Sequence, residues 1–77
     1  MAVSIADVLF HIDENLDKAK RSTVEDHLRQ VEGVVSVHNP DDRPHLTLVG
    51  YRPDRTSSEV LLGQIQAQGV HAEMIGL

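Results

Sequence analysis

The apolar residues of this 77-residue chain change their spacing in a set order, and that order limits the folds open to it. From Val3 to Ile12, Val8, Phe10 and Ile12 alternate with Asp7, Leu9 and His11, the period of a strand with one buried side. From Val24 the spacing becomes Val24, Leu28 and Val31, the i, i+4, i+7 stripe of an amphipathic helix. Gly33 is the expected left-handed stop, and the β-branched run Val34 to His38 predicts a second strand. Asn39 to Pro44 gathers turn formers, so a hairpin should lead into a third strand over His45 to Tyr51. Its alternation puts Leu46 and Leu48 on the core side and His45, Thr47, Val49 and Tyr51 on the other. After Pro53 and Asp54, the spacing of Leu61, Leu62 and Ile65 predicts a second helix ended by Gly69. Val70, Ala72 and Met74 then alternate with His71, Glu73 and Ile75 in a last strand.

The first helix has two possible starts. Ser22 with Glu25 forms a capping box, and Asp17 can cap a helix one turn earlier. The early start places Lys18, Lys20 and Arg21 at the positive end of the helix dipole, so the later one is favoured. Thr56 with Glu59 forms the capping box of the second helix.

Strand, helix, strand, strand, helix, strand within one domain, residues 1–77, is the ferredoxin-like βαββαβ order of an α+β fold. It implies a four-stranded antiparallel sheet in the order 4-1-3-2, with both helices on one face. Right-handed crossovers are expected to set the first and third strands in the middle, running parallel. The uncovered face would then carry Leu9, His11, His45, Thr47, Val49, Tyr51, His71, Glu73 and Ile75.

Composition removes several function classes. Cysteine is absent, so disulfides and thiolate metal sites are excluded. Seven basic against twelve acidic residues give a net charge of −5, the wrong sign for binding phosphate backbones or anionic membranes. Phe10 and Tyr51 are the only aromatic residues, too few for an RNA-stacking sheet. No apolar run reaches membrane-spanning length, and Met1 to Phe10 carries no Lys or Arg, so a cytoplasmic location is the expectation. Asp13, Glu14 and Asp17 cluster in a loop with nothing to exclude water, and Ser22, Ser57 and Ser58 suit helix starts better than nucleophiles. The five glycines are scattered and form no phosphate cradle, so no enzyme is expected.

Three segments resemble a known family. Leu28 to Val37, with its helix end and Gly33-Val34 strand start, Tyr51 to Ser57, and Ile65 to Ile75 are similar, in that order and spacing, to the heavy-metal-associated domains of small copper and mercury chaperones and metal-transporting ATPases. The resemblance implies the ferredoxin-like fold, an origin in metal traffic, and docking through the loop between the first strand and first helix. Aligned without a gap, the family's Gly-Met pair falls on Glu14 and Asn15, and its two cysteines fall on Asp17 and Lys20. A carboxylate is a hard ligand and a protonated lysine repels a cation, so this loop should not hold copper(I). Asp17 then serves as a cap or surface carboxylate, and Lys20 as a solvated lysine.

Two other sites remain. Strand alternation sends His11 and His71 from one sheet face near one end, where they could share zinc, nickel or copper(II), with Glu73 or Tyr51 completing the site. His45 is expected near the opposite end of the third strand, His38 by the hairpin and His27 on the first helix beside Val24, each structural or solvated. Asp13, Glu14, Lys18, Lys20 and Arg21 form the docking surface that the resemblance implies. The alternatives are a metal-independent adaptor, binding a protein partner or a second copy through loop 13–21 or the sheet face, and a small-ligand sensor.

Overall fold

The computed structural model describes residues 4–76. Its elements are β1 (Ala6–Ile12), α1 (Lys18–Arg29), β2 (Val34–His38), β3 (Leu46–Tyr51), α2 (Ser58–Gln66) and β4 (Ala72–Gly76). The strands form one antiparallel sheet in the order β2-β3-β1-β4, which is the expected 4-1-3-2 read from the other edge. β1 and β3 are antiparallel neighbours, which corrects the parallel pairing expected above. The α1 crossover returns the chain parallel to its start, and the β2–β3 hairpin then reverses it.

One side of the sheet carries both helices. Val8, Phe10 and Ile12 of β1 meet Val24 and Leu28 of α1 and Leu61 and Ile65 of α2, with Val37, Val49 and Val70 completing a core in which Phe10 is the single aromatic ring. Two short helices stay folded in water only through such a face, because isolated helices of this length are marginal.

β3 is one residue out of the expected phase. Directly opposed residues of an antiparallel ladder project to the same side. Val49 faces Val8 and Thr47 faces Phe10, so these two are buried, while Leu48 faces Leu9 on the open side and is 41% exposed. Both alternating sets of β3 hold apolar residues, so its sequence alone does not choose between them. The buried β1 triplet does. The open face therefore holds Leu9, His11, Leu48 and Glu73, without Thr47 and Val49.

The helix starts also differ. Asp17 caps α1, its carboxylate accepting from the Lys20 backbone N–H at 2.8 Å, and Ser22 lies inside the helix. The basic first turn is compensated from outside the helix. Arg21 Nη1 donates to Asn39 Oδ1 at 2.9 Å and lies 3.3 Å from Asp41 Oδ1, and Lys18 Nζ is 3.8 Å from Asp41. α2 is capped by Ser57, whose hydroxyl accepts from Val60 N–H at 3.3 Å, one residue beyond the expected Thr56.

Gly33 has φ +100°, and a Cβ there would stand 2.6 Å from the Arg55 Cβ, so the turn into β2 tolerates only glycine without movement.

Candidate metal centre at the end of the sheet

β1 delivers His11 to the open face one residue before its end, and the ladder sets Glu73 of β4 directly opposite. Residues i and i+2 of an extended segment share a side, so Asp13 follows His11 onto that face. His11 Nδ1 lies 3.1 Å from Asp13 Oδ1 and 3.3 Å from Glu73 Oε1. The three donor atoms all fall within 4.8 Å of one another. Backbone bonds pin the cluster, since Asp13 N–H donates to the His71 carbonyl and Ile12 N–H to the His45 carbonyl, each at 2.8 Å.

His45 supports this end. Its Nδ1 is 2.6 Å from the Ile12 carbonyl oxygen, which only accepts, so Nδ1 carries the hydrogen. Its ring stacks on His11 with centroids 5.5 Å apart and planes 13° apart. The expectation had His45 near the opposite end of β3. The β1–β3 register instead sets Leu46 against His11 and brings His45 beside it.

His71 is turned to a different partner. Its Nδ1 donates to Glu14 Oε2 at 2.6 Å, and its backbone N–H donates to both oxygens of the same carboxylate at 2.9 and 3.1 Å. The side-chain hydrogen bond from His71 holds Glu14 below the usual carboxylate range, and the same bond raises His71 above the ordinary imidazole value. The structure brings Glu73 and Asp13 to His11, pairs His71 with Glu14, and leaves Tyr51 at the far end of the sheet opposite Ala6. Asp13 as a donor is legible in the spacing His11-x-Asp13, because alternate residues of an extended segment share a side.

The loop positions that the resemblance matched to cysteines are otherwise engaged. Asp17 Oδ1 accepts the capping bond of α1, and Lys20 is exposed beside it. Arg21, in the first turn of α1, is largely buried, with its side chain 13% exposed and tied to Asn39 and Asp41. Lys18 and Lys20 are left as the exposed cations of this end. Among the described residues no cavity is present and no helix is long and apolar enough to cross a membrane.

Solved structures share this architecture. The N-terminal domain of a potential copper-translocating P-type ATPase from Bacillus subtilis, in its Cu(I)-loaded state, superposes with a TM-score of 0.85 at 20% identity, over 95% of this chain and 90% of that one. Oxidized MerP from Ralstonia metallidurans CH34 gives 0.82 at 20% identity over 92% and 97%. The yeast copper transporter domain Ccc2a gives 0.81 at 17% identity over 91% and 94%. The fold is that of the heavy-metal-associated domains. No protein-family model matches the sequence, and no curated protein matches it. The likeness therefore lies in the backbone, and a chain without cysteine has no thiolate to offer a soft ion.

Proposed function

We propose that this chain is a non-enzymatic heavy-metal-associated-type module of metal traffic that has given up copper(I), docks on a protein partner through loop 13–21, and carries at most a histidine–carboxylate site for a divalent ion. One observation carries the reading: the helix start that would hold the thiolates holds Asp17, committed to the cap, and the exposed Lys20. A cuprous ion needs soft donors and gains nothing from either group. Support for docking comes from the exposed charges near that end, Asp13, Lys18 and Lys20, with Glu14 engaged by His71.

A competition titration with a chromogenic cuprous chelator tests the first part. The wild type should leave the chelator's copper(I) in place, and the Asp17→Cys, Lys20→Cys double variant should withdraw it. Stoichiometric capture by the wild type would overturn the reading. For docking, reversal of Lys18 and Lys20 to Glu should weaken a partner complex, whereas reversal of Arg21 would also break its bonds to Asn39 and Asp41.

The adaptor alternative uses the same surface without an ion and predicts the same charge-reversal result. The sensor alternative has no cavity among the described residues to take a ligand, so it requires a second copy of the chain.

A further inference from the structure

Three potential ligand atoms, His11 Nδ1, Asp13 Oδ1 and Glu73 Oε1, converge at the end of β1. If the neutral His11 imidazole carries its hydrogen on Nδ1, that hydrogen is shared between Asp13 Oδ1 and Glu73 Oε1. If it carries it on Nε2, the Nδ1 lone pair faces two carboxylate oxygens. The three side chains together then bear two negative charges. A small cation placed among them satisfies all three donors at once.

Two of the three donor separations have the dimensions of such a site, and all three lie within 4.8 Å. With zinc–nitrogen and zinc–oxygen bonds of about 2.0–2.1 Å, neighbouring donors of a tetrahedral ion lie roughly 3.3–3.4 Å apart. The observed separations are 3.1 Å from His11 Nδ1 to Asp13 Oδ1 and 3.3 Å from His11 Nδ1 to Glu73 Oε1. The backbone beneath the donors and the His11 ring are also held before any ion arrives. His11 and Glu73 are opposed in one ladder, the Asp13 backbone is bonded to His71, and the His11 ring is stacked on His45. One imidazole nitrogen and two carboxylate oxygens suit a borderline divalent ion rather than a soft monovalent one. The side chains of His11, Asp13 and Glu73 are 36%, 55% and 60% exposed, so an ion can enter and leave, and the fourth corner stays open to water or to a ligand from a docked partner.

We infer that His11 Nδ1, Asp13 and Glu73 form a divalent transition-metal site, distinct from the loop positions 17 and 20, with zinc as its probe. This deepens the reading above by naming the site of the divalent ion that it allows.

Zinc chloride titrated into the purified chain, followed by calorimetry and by histidine ring 15N resonances, tests it. One ion per chain is expected, with the largest ring shift at His11 Nδ1 and a loss of affinity of about tenfold or more in both His11→Ala and Glu73→Gln. His27→Ala and His38→Ala should bind as the wild type does. No saturable heat, or heat unchanged in both His11→Ala and Glu73→Gln, would overturn the assignment. So would a ring shift confined to histidines other than His11, which needs only the wild-type protein and stands even if a variant fails to fold. The chelator competition is read separately. Copper(I) capture would sink the proposed function without altering the zinc stoichiometry, and absence of zinc binding would sink this site while leaving the copper(I) result as it was.

Discussion

The Glu14–His71 pair ties the loop after β1 to the residue before β4. Two protonation equilibria govern it, with opposite signs. His71 has its folded value raised above the ordinary 6.5, so its contribution is fully present below that value and fades as pH rises through the higher folded one. Glu14 has its folded value lowered below the ordinary 4.5, so its contribution is present above 4.5 and is lost as pH falls through the lower folded one. The tie is therefore strongest between about pH 4.5 and 6.5. Comparing His71→Ala with the wild type in thermal melts should give the widest gap inside that window and a narrower one at pH 9. A gap that does not change with pH would show that the ion pair contributes nothing. Both groups are solvated, which keeps the expected difference small.

At the scale of single elements, α1 shows how a local rule is overruled. Three basic residues in a first turn oppose the helix dipole by a few tenths of a kcal/mol each. The Asp17 cap is worth about 1 kcal/mol, and the bonds of Arg21 to Asn39 and Asp41 add to it. The sum favours the early start. Asn39 also donates to the Leu46 carbonyl at 2.6 Å and the Pro44 carbonyl at 3.1 Å, so it joins the helix start to the β2–β3 hairpin. Asp17→Ala should lower stability by about 0.5–2 kcal/mol, a fall in Tm of several degrees for a domain of this size. Denaturant unfolding measures it, and an unchanged midpoint would mean that the helix begins at Ser22 after all.

For the whole molecule, the core and the candidate metal centre lie on opposite faces of the sheet. Ten buried apolar residues make the core without any metal donor among them, so the fold does not depend on an ion in the way that a zinc finger does. Treatment with EDTA should leave the far-UV circular dichroism unchanged, whereas unfolding on chelation would contradict this separation of roles. Phe10, the largest side chain in the core and fully buried, is where stability is concentrated. Phe10→Ala should cost about 3–5 kcal/mol, a large share of what a domain this small has.

The periods of the apolar residues, together with Gly33, Gly69 and the turn formers from Asn39 to Pro44, determined the order of the six elements and the covering of one sheet face, because these signals act over a few neighbouring residues. The missing cysteines determined that no thiolate site can form, because no fold can supply a thiolate. The phase of β3 was left to the tertiary structure, since both of its faces are apolar and only the ladder against Val8 and Phe10 separates them. The partners of His11 were decided there too. Asp13 and Glu73 are sixty residues apart in the chain, and the His71 ring, grouped with His11 by alternation, is hydrogen-bonded to Glu14. Strand alternation assigns a side chain to a face, but only the ladder register and competing hydrogen bonds set which atoms of that face meet.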